Sequence, residues 1–578
     1  MNRDNSLILI SLRSNVPLLA VLLAASVNVF AEGHPGHTHG HGEAGHLPAA
    51  AVAASDYVDT EPPLWSNLGT LSYKIKTRDK LAQRYFDQGL RLTYAFNHLE
   101  AQRAFRRAQK LDPSCAMCFW GEALVLGPNI NAPMEPAAIG PAGSAIGQAK
   151  TLARRGNRKE RALIEALAKR YAGNSETGRK PLDQAYADAM GKLYRRHPKD
   201  DEIAVLYAES LMDLSPWDYW EENGHTPKGR TAEILQVLER VAARNPDHPG
   251  AIHYYIHVVE GSDRPERVEA HADRLARLMP GAGHMVHMPS HLYYRLGRYC
   301  DALEANRAAI AADEAYLKET GAKGIYALAY YPHNVHFLMV SAQMAGDGAM
   351  ALNTAGKLAA VIADDAVRTV PWAQPIKAAP YLAQAQFGTP EAVSKLADPG
   401  SEFPYVQAMW RYARGVAAAR RAAVQKAQAE LDALLQLGTK ADFSALSAAG
   451  VPAPDLVRIA GEVLRARIAQ ARGESAEAIA AFERAAAQQE RLPYMEPPYW
   501  YYPLRRSLGA LKFLGGDLAG AERDLRASLE QAPNDAWALW ALAEVQRKRG
   551  DMAAATETQR ILENVRAGNQ SPVAMDRL

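Results

Sequence analysis

The sequence predicts an all-α protein assembled from stacked helix–turn–helix units, a solenoid in class. Three observations carry that expectation. The chain is rich in alanine and sparing with β-branched residues, which favours helix. A 34-residue frame of small and aromatic positions recurs near both ends of the chain. Proline and glycine fall where one helix must stop and the next begin. Hydrophobic residues make up 48% and charged residues 22%, the balance of a folded chain rather than a disordered one. At 578 residues the chain exceeds what one compact core ordinarily holds. A repeat array resolves this, because each unit packs only on its neighbours.

Four segments follow in order. Residues 1–31 read as a signal peptide: Arg3 and Arg13 lie in or before a basic region, Val16 to Ala25 is apolar, and Val29-Phe30-Ala31 offers a small-residue cleavage site. The apolar run is too short for a permanent membrane helix, and no later stretch is apolar enough to span a bilayer. The expected location is therefore periplasmic or secreted. Residues 32–62, rich in Ala, Gly and His and without periodicity, are expected to be a disordered leader. Residues 63–353 are expected to form a first repeat array carrying a histidine cluster, and residues 354–578 a second.

The repeat frame is clearest from Ala82 to Cys115, where Gly89 takes position 8, Ala101 position 20, Phe105 position 24, Ala108 position 27 and Pro113 position 32. Gly509, Ala521, Leu525, Ser528 and Pro533 repeat it, and Ala543, Gly550 and Ala555 mark a further unit. These positions resemble the tetratricopeptide-repeat family over most of the chain from about residue 80 onward. The resemblance implies a right-handed superhelix with a concave groove lined by positions 2, 5, 9 and 12 of each unit. Insertions interrupt the frame near Trp217–Arg230, Glu319–Ile325 and Tyr494–Pro503.

Of 17 histidines, eight fall between His253 and His336. His253 and His257 are four apart, which puts them on one helix face, and His287 and His291 repeat the pair 34 residues later. Framed on Gly297 and Ala302, both pairs occupy positions 5 and 9 of successive units, with His284 at position 2 and Glu260 at position 12 of the earlier unit. Gly346 and Ala351 frame a third unit, putting His333 at position 2 and His336 at position 5. Seven histidines and Glu260 thus project toward one patch of the groove. Imidazole nitrogens suit zinc, copper or iron, so one or two transition-metal ions are the expected cofactor. Glu260 is the leading acid–base candidate if the site is catalytic, followed by Glu209 and by Glu496, on an aromatic loop that a superhelix could curl over the cavity as a lid. Glu209 and Asp213, on the unit before His253, could also ligate the metal or orient its ligand imidazoles. A metal-free patch of partly buried imidazoles hydrogen-bonded to tyrosines is the bland alternative.

The segments Gly283–Tyr299, Cys115–Gly121 and Tyr331–His336 further resemble a subgroup of bacterial exported repeat proteins, which implies a shared site and names no reaction. Cys115 and Cys118 form a C-x-x-C whose reading stays open between local disulfide, redox pair and soft metal ligands. Cys300 is expected to be a buried small residue. The leader histidines His34, His37, His39, His41 and His46 have no fold to preorganise them. His98, His197, His225, His248 and His271 stand apart from the patch.

Basic and acidic residues nearly cancel, 66 against 64, and no basic stripe is interleaved with aromatics, so a nucleic-acid partner is not expected. Phosphate-binding loops, dinucleotide fingerprints and nucleophile elbows are absent from the sequence. Two functions compete: a metal-binding solenoid that performs metal-dependent chemistry or handles the metal, and an interaction scaffold whose groove captures a protein or peptide.

Overall fold

A computed structural model describes residues 57–172, 178–221, 224–568 and 574–578. The expected signal peptide, the leader up to residue 56 and its five histidines lie outside the described residues. The described chain is helical hairpin after helical hairpin, without a strand, and each helix packs chiefly on its sequence neighbour.

The packing shows why the frame forms hairpins. Helices Lys80–Tyr94 and His98–Leu111 close on one another where Gly89 faces Phe105. A Cβ on Gly89 would lie 2.7 Å from the Phe105 ring, so only glycine lets the two axes approach this closely. Ala101, Phe105 and Ala108 are fully buried at that seam. Helices Leu504–Leu514 and Leu518–Gln531 repeat the arrangement with Gly509 against Leu525, at 2.8 Å for an added Cβ.

Two large cores result. One runs from Leu68 to Tyr330 and the other from Tyr294 to Leu511, and the histidine-bearing helices lie where they meet. The chain also folds back on its own middle. Trp537 Nε1 donates to the Gln343 carbonyl at 2.6 Å and the Ala567 amide to the Ala345 carbonyl at 2.8 Å. At the other end, the Tyr57 hydroxyl donates to Glu100 at 2.6 Å and Trp65 Nε1 to Glu319 at 3.1 Å. Tyr57–Pro62, the tail of the segment expected to be disordered, is therefore anchored, with the Arg103 guanidinium 4.3 Å from the Tyr57 ring centroid.

Cys115 and Cys118 form a disulfide, with Cys115 capping the helix Ala116–Val125. Both sulfurs are buried and committed to each other, which removes them as metal ligands in this state. Cys300 is a free thiol and only half-buried, less enclosed than expected.

Candidate metal centre

Four short elements supply the site. Helix Pro249–Val259 carries His253 and His257, with Glu260 capping its end. Helix Gly283–His287 continues through Met288 into Pro289–Arg295, bringing His284, His287 and His291. Proline at the start of that second piece is tolerated because an N-terminal position needs no amide donor. Helix Tyr331–Met344 carries His333 and His336 and is preceded by a π-helical turn, Tyr326–Tyr330. Gly283 is required here: an added Cβ would lie 1.9 Å from Asp313 Oδ1. Asp313, on the helix Tyr299–Thr320, in turn accepts from the Tyr326 hydroxyl at 2.8 Å and from Asn334 at 2.7 Å, tying that helix to the π-helical turn and to Tyr331–Met344.

The imidazoles sort into groups that could hold a metal ion. His253, His257 and His284 form one, His287, His291 and His333 a second, and His257, Glu260 and His291 a third between them; within each group one ligand atom per residue lies within 4.8 Å of the others. His253 Nε2 and His284 Nε2 are 3.1 Å apart, His287 Nε2 and His291 Nε2 2.8 Å, and His333 Nε2 and His291 Nε2 3.4 Å.

The opposite ring nitrogens explain this convergence. His253 Nδ1 donates to the Tyr94 carbonyl at 2.6 Å, one of the unpaired carbonyls at the end of the helix Lys80–Tyr94. His287 Nδ1 donates to Asn306 Oδ1 at 2.6 Å, and Asn306 spends its amide nitrogen on the Ala302 carbonyl, which fixes its oxygen as the acceptor. Glu260 accepts from His257 Nδ1 at 2.9 Å with one oxygen and from His291 Nδ1 at 2.7 Å with the other. With Nδ1 protonated, each of these rings turns an Nε2 lone pair inward. Two such lone pairs 2.8 Å apart repel unless a proton or a metal ion lies between them.

Burial works against a proton on His253, His257, His284, His287 and His333. His253, His257, His284, His287, His291 and Glu260 are all between 0 and 2% exposed. Burial pushes the basicity of His253, His284, His287 and His333 well below that of free imidazole, and neighbouring imidazoles push it further the same way. His257 is lowered too, chiefly by burial. Burial alone would raise the Glu260 carboxyl, but His291 and His257 hold it down to about 2, by the charge those rings carry when protonated and by their Nδ1–H bonds, so it stands as an anion between the two groups. Buried imidazoles whose Nε2 atoms converge are a donor set for a transition metal.

Aromatic walls enclose the donors. Phe96 lies 4.5 Å from the His253 ring and stacks on His284 at 5.4 Å; Phe337 stacks on His291 at 4.9 Å and meets His287 edge-on at 5.1 Å. Trp217 meets His257 edge-on at 5.4 Å. Phe96 and Trp217 both adopt left-handed backbone, with φ of 54° and 63°, a conformation costly for bulky residues and held here against the site.

Some sequence expectations shift. His336 joins none of the three groups; its Nε2 instead lies 2.8 Å from the Tyr501 hydroxyl. Glu260 meets the Nδ1 side of two histidines, the side facing away from the converging Nε2 atoms. The histidines were expected to open onto a groove, and the fold instead covers them. Tyr494–Pro503 is part of that cover: Tyr501 reaches His336, its carbonyl accepts from Tyr294 at 2.9 Å, and Glu496 is buried nearby. Burial pushes the Glu496 carboxyl up to about 7. Glu209 and Asp213 belong to a neighbouring cluster, where Asp213 pairs with buried Arg170 at 2.8 Å and burial raises Asp213 to about 7. His248 pairs with Glu202 and His225 with Asp263, away from the donors. Sequence reasoning missed Tyr94, Phe96, Asn306 and Phe337, none of which carries a signal of its own.

No family model and no curated protein matches this chain. Among solved structures, it is similar at 12% identity to a human IFIT1 dimer with m7Gppp-AAAA, covering 85% of this chain and 91% of that one at a TM-score of 0.31. It is also similar to the APC/C hetero-tetramer Cut9–Hcn1 (12% identity, 80% and 76% covered, TM-score 0.30). A third is yeast Tom70 (11% identity, 84% and 90% covered, TM-score 0.28). Scores this low carry no argument about function. The helical hairpins and their glycine–aromatic seams stand on their own geometry, and by that geometry the chain has a solenoid fold of the tetratricopeptide-repeat type.

Proposed function

We propose that this protein is an exported metalloprotein that binds transition metal in the buried histidine cluster, for metal-dependent chemistry or for handling the metal. The observation that carries this reading is the convergence of Nε2 atoms from rings whose Nδ1 groups donate outward: His287 donates to Asn306 and His291 to Glu260, while their Nε2 atoms approach to 2.8 Å. A patch of structural imidazoles would instead orient N–H groups toward acceptors on both sides. Three imidazoles per ion leave a coordination position for water or substrate, the condition for catalysis.

Export is supported by the N-terminal basic and apolar pattern of residues 1–31 and by the Cys115–Cys118 disulfide, which persists in oxidising compartments. Among the described residues no helix is long and apolar enough to cross a membrane. The repeat fold also fits an interaction scaffold, but the face that carries the histidines is covered by the chain itself and offers no open peptide groove.

Elemental analysis of untagged protein tests the reading, on wild type and on a His257→Ala, His291→Ala double variant. Stoichiometric metal that disappears in the variant is the expected result. Wild-type protein purified and reconstituted with copper, zinc and iron, yet carrying only trace metal, would refute it.

A further inference from the structure

The two histidine groups are built by one rule used twice. The first takes positions 5 and 9 of one repeat, His253 and His257, and position 2 of the next, His284. The second takes positions 5 and 9 of that next repeat, His287 and His291, and position 2 of the one after, His333. A solenoid that repeats its backbone thus repeats its donor set. Every close nitrogen pair falls inside a triad, at 3.1, 2.8 and 3.4 Å. Two nitrogens bound to one ion at 2.0–2.1 Å stand about 2.8–3.6 Å apart for bond angles from square to trigonal. Ring centroids of different triads come no nearer than 5.8 Å for His257–His291 and 6.0 Å for His284–His287, whereas each triad has two ring pairs under 5 Å. Each triad also has its own orienting acceptor and its own aromatic wall: the Tyr94 carbonyl and Phe96 for the first, Asn306 and Phe337 for the second. Glu260 is common to both, holding His257 of one and His291 of the other by Nδ1.

Charge narrows the metal. All six inward donors are imidazoles, which bind metal in their neutral form, and among the described residues Glu260 is the one carboxylate hydrogen-bonded to them. Two divalent ions would leave a net charge near +3 in a buried site, and two monovalent ions a net charge near +1. The cost of burying an ion grows with the square of its charge, so a neutral, enclosed donor set favours the lower charge. Copper is the common biological transition metal stable as a monovalent ion, and it suits three-coordinate imidazole ligation.

On these grounds, and resting on the metal-binding reading above, we propose that the cluster is a paired centre for two copper(I) ions. One ion is held by His253, His257 and His284 and the other by His287, His291 and His333, with Glu260 orienting one ligand of each. Anaerobic titration of the untagged, metal-free protein with copper(I) against the chromophoric chelator bicinchoninate reads the stoichiometry. Two equivalents per chain are expected for wild type, and one for each of His284→Ala and His333→Ala, which strike different triads. The equivalent retained in each variant reports that the protein is folded. One equivalent in wild type, or loss of all copper in both single variants, would show a single shared site and overturn the pairing while leaving metal binding intact. Two equivalents of zinc but none of copper(I) would overturn the metal assignment. Neither metal bound in wild type would sink this proposal together with the reading beneath it.

Discussion

At the scale of single residues, the site depends on which nitrogen of each ring carries the proton. Glu260 serves two rings at once because a carboxylate offers acceptors on both oxygens, and its ionised form is secured by His291 and His257 themselves. A Glu260→Gln variant keeps the shape but presents an amide N–H to one of the two Nδ1–H groups. That ring must then reverse its tautomer and lose its inward lone pair. Metal affinity should fall about 10–100-fold, the usual consequence of removing a hydrogen-bond partner behind a metal ligand. Competition with a graded series of chelators measures this, and unchanged affinity would reduce Glu260 to a space-filling anion. A second consequence concerns pH. Protons compete with metal only below the folded-state pKa of the ligands, and burial lowers that pKa for His253, His257 and His284. Affinity of the first triad should therefore stay level from pH 8 down through about 6.5, where free imidazole is already half protonated. The His333→Ala variant isolates that triad, and a decline beginning at pH 7 would mean that its rings are not buried as described.

At the scale of elements, the stacking of repeats does what no single helix can. The i,i+4 pairs and their 34-residue recurrence were legible because helical periodicity fixes which side chains share a face. The triads were not, since the third ligand comes from position 2 of the following unit and depends on how far adjacent hairpins rotate against each other. His336 shows the same limit. Its repeat position is that of His253 and His287, but the preceding π-turn and the Tyr494–Pro503 loop give it Tyr501 as a partner. Tyr94 contributes through its backbone and Asn306 through an amide on the opposing helix, so neither residue type announces a role. Phe96 takes its left-handed conformation just past the helix Lys80–Tyr94, where Gly297 and Gly346 take it in later units, so the residue reads as a helix stop and not as part of a site. The junction between helices is tested by Gly283→Ala. Its methyl group would lie 1.9 Å from Asp313 Oδ1, a group held from both sides by Tyr326 and Asn334. Overpacking of this kind costs about 1–3 kcal/mol, so the melting temperature should drop, and metal should be held more weakly because His284 moves with residue 283. A variant as stable as wild type would show that the Asp313 junction gives way freely.

At the scale of the molecule, the covered site is the largest departure from an open solenoid groove. Hairpins at the end of the chain pack against its middle through Trp537, Ala567 and the loop Tyr494–Pro503, and the donors end up inside. A buried ion bound only by the folded state stabilises that state by about 2.7 kcal/mol at a hundredfold excess over its dissociation constant. Chelation should lower the thermal transition of the intact chain, and calorimetry with and without bound metal reads the difference. Enclosure also predicts slow exchange. Tyr501→Phe removes the hydroxyl that meets His336, so the cover should loosen and metal should pass to an external chelator faster at unchanged stoichiometry. The central claim, that these histidines are metal ligands, is tested most directly by anomalous diffraction from crystals of metal-loaded, untagged protein, recorded above and below the absorption edge of the loaded metal. Anomalous peaks are expected at about 2.0–2.1 Å from the Nε2 atoms of the triads, with Glu260 still on the Nδ1 side. Crystals that bind the metal elsewhere, or show featureless difference density among His253, His257, His284, His287, His291 and His333, would contradict it.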